Sequence, residues 1–260
     1  MGKNITFPHV INFRDVGGFE TTDKRRVKEG LVYRSGGFYY ADEGDVEVVM
    51  DLGIKYVVDF RETNEHKDSP DKFPSEITVY ELPAIVENEY TENKTLNFFE
   101  LLNSDTDVEG IYEANKFLRE VYTFIAFDNE AFAKTFELIE NKEVPLLFHC
   151  AGGKDRTGVM AALIQTLLGV DYETVLENYL YSNVYRNQNG YMDEQIRIRN
   201  ITNPQAVEAI AVTIGVQRGY LDSTYKSIID KYGTMEEYFL NEYGLDETRI
   251  ARIKDYYLES

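Results

Sequence analysis

The chain of 260 residues has no tryptophan, one cysteine, three histidines and six prolines. Cys150 has no second cysteine to pair with, so nothing calls for an oxidising compartment. His9, His66 and His149 are too few and too scattered to argue for a dedicated zinc site. No apolar run approaches the ~20 residues needed to cross a bilayer; Met160–Val170 is among the most apolar, and Gln165 interrupts it. Met1–Val10 lacks the long apolar stretch of a signal peptide, so the cytoplasm is the default expectation and export would need another route. Two short patterns there, Met-Gly-x-x-x-Thr ending at Thr6 and Asn4-Ile5-Thr6, call for incompatible cellular routes and carry little weight. Basic residues are scarce as well, 27 against 46 acidic ones, for a net charge of −19. That balance argues against a nucleic-acid binder and against a protein held on anionic lipid by a polybasic surface.

What is present suits a globular protein: hydrophobic residues make up 43% of the chain, enough for a sizeable core. Short β-branched runs alternate with helical patterns, the rhythm of an α/β protein. Lys55–Phe60 and Val144–His149 read as buried strands, and Glu76–Leu82 alternates like a half-exposed edge strand. Val46, Val49 and Met50 recur at helical spacing in 42–52, before Gly53. Thr157–Leu168 reads as a buried helix stopped by Gly169, and Asp171–Tyr185 as another, with Asp171 as N-cap. The last forty residues read as helical, with breaks at Gly233 and Gly244. The basic cluster Lys24-Arg25-Arg26-Val27-Lys28 reads as a solvated turn, and Arg14 and Asp15 with the glycines after them as a tight turn. Residues 84–130 separate two core strands by more than a normal connection. Their apolar stripe over Glu109–Phe127 fits either an inserted helix covering a cleft or an ordinary packing helix.

The chemistry concentrates in His149-Cys150-Ala151-Gly152-Gly153-Lys154-Asp155-Arg156-Thr157-Gly158. Here the lone cysteine follows a buried strand, an arginine follows six residues on, and an apolar helix begins. A loop opening a helix turns amides inward and adds the positive end of the helix dipole, which makes an anion site. Ala151, Gly152 and Gly153 let the backbone approach an oxyanion closely, and Arg156 can grip two phosphoryl oxygens through its planar fork. The same field favours ionised sulfur, a nucleophile aimed at phosphorus. Thr157 is expected to donate to that sulfur, and His149 to orient the loop through backbone hydrogen bonds. A buried, inert cysteine is the bland alternative, but strand, loop and helix all agree. A Walker A loop is set aside because position 148 is Phe and position 155 Asp, and a thioredoxin-type site because it needs a second cysteine.

This segment resembles the phosphate-binding loop of the cysteine-dependent tyrosine phosphatases. Its Gly-Lys-Asp-Arg-Thr-Gly version is similar to a bacterial atypical branch acting on phosphotyrosine and phosphoinositides. Asn12-Phe-Arg-Asp-Val-Gly-Gly18, Tyr33-Arg-Ser35, Val58-Asp-Phe-Arg61 and the tail around Tyr232-Gly233 and Tyr238 resemble further blocks of that family in the same order. The resemblance implies a tyrosine phosphatase-like α/β fold with a central, mostly parallel sheet flanked by helices, a helical insertion at 84–130 and a helical tail at 203–260, all in one domain over 1–260. It implies a dual-specificity or tyrosine phosphatase working through a cysteinyl-phosphate on Cys150, with Arg156 and the loop amides on the phosphoryl oxygens and with neither metal nor cofactor.

The general acid is left open. The chain lacks tryptophan and so lacks the Trp-Pro-Asp loop of ordinary tyrosine phosphatases. Asp155 is favoured because the family carries it there, and Asp59 is the alternative because active-site residues gather at the carboxyl ends of such strands. The bland readings are a helix-start charge neutralising Lys154 for Asp155, and a partner for Arg61 or Arg34 for Asp59. Lys154 is expected at the phosphate mouth, reaching a second anionic group, or simply paired with Asp155. The expected partner is a phosphotyrosine-containing protein or peptide, with no nucleic acid and no stable membrane insertion. The rivals are a phosphoinositide phosphatase, for which a local patch can act within a Debye length of ~10 Å, and a catalytically silent phospho-ligand binding module.

Overall fold

The computed structural model describes residues 7–85, 108–188 and 215–260, with positions 193, 197, 202–204 and 207. The N-terminal patterns ending at Thr6 and the stretch 86–107 lie outside the described residues. In chain order come β1 (Arg14–Asp15), β2 (Arg26–Val27), β3 (Val32–Ser35), α1 (Glu43–Asp51), β4 (Tyr56–Asp59), α2 (Thr63–Asp68) and β5 (Thr78–Glu81). They are followed by α3 (Val108–Phe124), α4 (Glu130–Glu140), β6 (Leu146–His149), α5 (Arg156–Leu168), α6 (Tyr172–Leu180) and α7 (Ser182–Gln188). The tail carries α8 (Arg218–Tyr232), α9 (Met235–Tyr243), α10 (Glu247–Tyr257) and β7 (Leu258–Glu259).

Five strands form one sheet in the order β1-β3-β6-β4-β5. β3, β6, β4 and β5 run parallel, and β1 closes the edge antiparallel to β3. The pleat sends successive side chains to opposite faces. Leu146 and Phe148 therefore enter the larger core, with Val58 and Val32, while Leu147 enters the smaller one, with Val57 and Tyr33. Helix α1 supplies Val49 to the smaller core; α3–α6 and the tail helices fill the larger. This two-sided burial is why β4 and β6 read as continuous apolar runs. β5 lies at the edge with one neighbour, as expected, but is more than half exposed, with Val79 of its apolar face open to solvent.

Local signals explain most boundaries. Asp42, Asp171, Thr234 and Asp246 each cap a helix by accepting from the amide three residues on. Gly169 ends α5 at φ +96°, in the left-handed region that a glycine adopts without strain. The stripe in 109–127 proves to be a packing helix: Phe117, Leu118, Val121 and Tyr122 of α3 are buried, and Tyr122 stacks on Tyr220 of α8.

Three sequence expectations are corrected. The segment 171–185 is two helices, because α6 ends at Leu180 with Tyr181 as its C-cap and α7 restarts at Ser182, whose buried hydroxyl accepts from Arg14 at 3.2 Å. The basic cluster is a turn only at Lys24, where φ is +70°; Arg26 and Val27 form β2, which pairs with β7 at the chain's end. Arg14 and Asp15 form a strand and not a tight turn. Asp15 accepts from the amides of Gly17 (2.7 Å) and Gly30 (2.6 Å), and burial raises its carboxyl to about 6.

Candidate active site

Parallel register aligns Ser35, His149 and Asp59 across β3, β6 and β4. The residues that follow them therefore gather at one carboxyl edge of the sheet. Cys150 leaves the central strand of the three with 2% of its surface exposed, as a free thiol.

The loop after it is clamped from outside. The Ala151 carbonyl accepts from the Gly37 amide at 3.1 Å. The Gly153 carbonyl accepts twice, from Asn12 Nδ2 at 2.6 Å and from Arg34 Nη2 at 2.7 Å. Gly153 has φ +63°, and a Cβ there would stand 2.5 Å from backbone atoms of Ser35 and Gly36, so the loop passes against β3 only because this residue has no side chain. With the carbonyls engaged, the amides of Ala151, Gly152 and Gly153 meet no acceptor among the described residues. They and the N-terminus of α5 remain to bind an anion.

Arg156, the first residue of α5, is 8% exposed. Its Nη1 and Nη2 donate to the two Glu65 oxygens at 2.6 and 3.0 Å, and Nη1 also donates to the Phe60 carbonyl at 3.3 Å. Burial opposes its charge, but the Glu65 carboxylate more than offsets that and holds the guanidinium ionised. Glu65 accepts in turn from the Glu62 amide at 2.8 Å. Sequence reasoning missed Glu65, because nothing in Glu62–Asp68 marks a helix that turns one carboxylate onto a residue 91 positions away. A bidentate pair fixes the plane of the fork, and a misplacement of about 1 Å can cost ~100-fold in rate. Glu65→Gln is therefore expected to lower kcat/KM for para-nitrophenyl phosphate by roughly 10- to 100-fold. Unchanged kcat/KM would show that Arg156 is oriented without it.

Asp155 occupies the N-cap position of α5 yet makes no capping hydrogen bond. Its Oδ1 instead accepts from Tyr122 Oη at 2.7 Å, and Tyr122 accepts from Tyr179 Oη at 2.7 Å. Lys154 Nζ stands 3.4 Å from Asp155 Oδ2 and donates to the Gly215 carbonyl at 3.1 Å. The Lys154 side chain is 12% exposed, so it pairs with Asp155 along the loop and is no solvated lysine. Tyr122 lay in the apolar stripe of 109–127, where no sequence signal separates a core tyrosine from one facing the loop.

Two expectations meet other partners and a third meets none. Asp59 is committed to Arg61, whose backbone amide donates to it at 3.0 Å and whose Nε and Nη2 donate at 2.9 and 2.6 Å. Burial works to raise its carboxyl, but His149, His66 and Arg61 together hold it well below the usual carboxylate range. Both of its oxygens are thus engaged by Arg61. His149, fully buried, faces carboxylates and not backbone: Nε2 is 3.2 Å from Asp71 and Nδ1 3.6 Å from Asp59. Thr157 Oγ1 is buried and bonds neither to Cys150 nor to any other described residue. Asp59, Asp71 and His149 cluster closely enough to hold an ion, but Arg61 Nη2 at 2.6 Å from both aspartates already supplies the cation.

A buried thiol at the end of a central parallel strand, under a helix N-terminus and beside an oriented guanidinium, defines a cysteine-centred phosphate loop on an α/β sheet. Residues 5–259 match the family described as the tyrosine phosphatase family. The chain belongs to that family. It is 29% identical over 256 residues to a Cupriavidus necator protein provisionally named a tyrosine-protein phosphatase, covering 98% of this chain and 88% of that one. It is 26% identical over 272 residues to the triple specificity protein phosphatase PtpB of Mycobacterium tuberculosis, covering 95% and 96%. A solved structure of P. aeruginosa TpbA in complex with pTyr shares 18% identity over 71% of this chain and 86% of that one, at a TM-score of 0.31, too slight to bear on the fold.

Proposed function

We propose that the protein hydrolyses phosphotyrosyl side chains with Cys150 as nucleophile. The carrying observation is Cys150 at the carboxyl edge of β6, with the free loop amides and Arg156 around it. The sulfur attacks phosphorus in line, so the S–P bond forms as the P–O bond to the tyrosyl ring breaks. Arg156 and the loop amides take the charge on the three equatorial oxygens. Asp155 gives its proton to the departing phenolate oxygen, then accepts one from the water that attacks phosphorus. The S–P bond breaks, releasing inorganic phosphate and restoring the thiolate. No step requires a metal ion.

Asp155 is assigned as the acid because its side chain is partly exposed beside the loop and its Oδ1 is held by a tyrosine hydroxyl, whereas Asp59 is locked under Arg61. Asp155→Asn is expected to lower kcat on a phosphotyrosyl peptide by roughly 10²- to 10⁴-fold and to remove the alkaline limb of the kcat–pH profile. Para-nitrophenyl phosphate, with its better leaving group, loses less. A profile that keeps its alkaline limb in the variant refutes the assignment. Hydrolysis of the peptide in excess EDTA tests the wider reading, and a wild type that turns over no phosphomonoester refutes it.

A further inference from the structure

Arg34 is completely buried in β3, next to the strand that carries Cys150. Its cross-strand partner in β1 is Arg14, itself 7% exposed. Two guanidiniums directly opposite one another repel, and buried charges are normally paired with an opposite charge. Among the described residues no carboxylate lies within 4 Å of either arginine. Arg14 donates to the Asn178 carbonyl at 2.9 Å, to Ser182 and to Asn12, and stacks on Tyr185. Arg34 donates from Nη2 to the Gly153 carbonyl, while its Nε and Nη1 have no partner.

The acidic groups facing Arg34 are Cys150 and the tyrosines 122, 179 and 185. Burial keeps Tyr122 and Tyr179 protonated, well above the ordinary tyrosine range, and raises Tyr185 too. Burial lowers Arg34 to about 10, with Cys150 acting in the opposite sense, and the guanidinium stays charged at neutral pH. Of these four groups that leaves the sulfur. The layout agrees, since Cys150 sits between β3 and β4. Arg156 is anchored on the β4 side by Phe60 and Glu65, and Arg34 stands on the β3 side.

We propose that Arg34, with Arg14 behind it, is the standing counter-ion of the Cys150 thiolate: a positioning cation that keeps the sulfur ionised before any phosphate arrives and ties the loop through Gly153. This rests on Cys150 being the nucleophile. Arg156 then serves chiefly the phosphoryl group, and Arg34, buried behind the loop, serves the sulfur.

The test separates charge from hydrogen bonding. Arg34→Gln keeps a donor for the Gly153 carbonyl and loses the charge, and Arg34→Lys keeps the charge. The readout is the rate of Cys150 alkylation by iodoacetate at pH 6, with thermal melting as a check on folding. Arg34→Gln is expected to react at least about tenfold more slowly than wild type, and Arg34→Lys within about twofold of it. A folded Arg34→Gln that reacts like wild type, or an Arg34→Lys that falls as far as Arg34→Gln, overturns the proposal. Should Arg34→Gln not fold, Arg156→Met decides. With the other guanidinium gone, the ratio of iodoacetate to iodoacetamide rates must still exceed the ratio measured with glutathione, and a ratio equal to glutathione's overturns the proposal. If wild type hydrolyses no phosphomonoester, the functional reading fails, whereas an unchanged alkylation rate in an active enzyme defeats this inference alone.

Discussion

Replacing Cys150 by Ser is expected to lower turnover of a phosphotyrosyl peptide by on the order of 10⁵-fold or more while leaving the peptide bound. The two residues differ by one atom, so the buried site behind β6 still closes around it. The chemistry changes sharply, because a serine hydroxyl stays protonated where a thiol ionises, and a neutral hydroxyl with no base beside it is a poor nucleophile toward phosphorus. The nearby groups are committed elsewhere: Asp155 to the leaving oxygen, His149 to Asp59 and Asp71, and Glu65 to Arg156. The anion cradle depends on Ala151–Gly153, Arg156 and the start of α5, and loses nothing. Single-turnover kinetics and isothermal titration of the peptide separate the two effects. Residual turnover within about 100-fold of wild type would remove Cys150 as nucleophile, and the loss of binding together with turnover would show that the substitution had collapsed the loop. Retained binding without turnover also disposes of the silent binding module as a description of the wild type.

The readable part of this site was the part written contiguously. Strand, Cys150, small residues, Arg156 and buried helix follow one another in the chain, so spacing and local physics sufficed. The same holds for α1, α5 and the tail helices, each marked by a capping side chain or a terminal glycine. What the chain order hides is what the register assembles. Asn12 and Arg34 meet the Gly153 carbonyl because β1, β3 and β6 are neighbours, although 141 and 119 positions separate them from it. Glu65 reaches Arg156 because β4 lies beside β6. Thr157 and His149 were misjudged for a related reason. Sequence proximity to Cys150 suggests contact with the sulfur or its loop, whereas His149 lies against Asp71 and Asp59 and the Thr157 hydroxyl bonds to no described residue. The gap between α6 and α7 was hidden because Ser182, polar in a helical pattern, is fixed by an arginine from β1.

Asp59 tests how much the support beneath the loop contributes. Its carboxylate accepts from the Arg61 amide, Nε and Nη2, and lies 3.2 Å from His66 Nδ1. The Asp59 side chain is 2% exposed and that of Arg61 1%. Leaving a buried charge wholly unpaired costs about 3–5 kcal/mol, but Arg61 keeps Asp71 at 2.6 Å, which puts this substitution at the low end, about 3 kcal/mol. Asp59→Asn is expected to lose about that much at pH 7 in urea denaturation. The loss should itself depend on pH. The folded protein holds the Asp59 carboxyl below its unfolded value of roughly 4, so its contribution is complete above that value and disappears as the pH falls through the folded one. The difference between wild type and Asp59→Asn should therefore shrink from pH 5 toward pH 2, with most of the closing below pH 4. A difference that stays constant over that range would mean that Asp59 titrates alike in both states and that its pairing with Arg61 contributes no net stability. The same variant, assayed under conditions where it is folded, should keep the alkaline limb of kcat that Asp155→Asn loses. Loss of the limb with Asp59→Asn would move the proton donor from the loop to the end of β4.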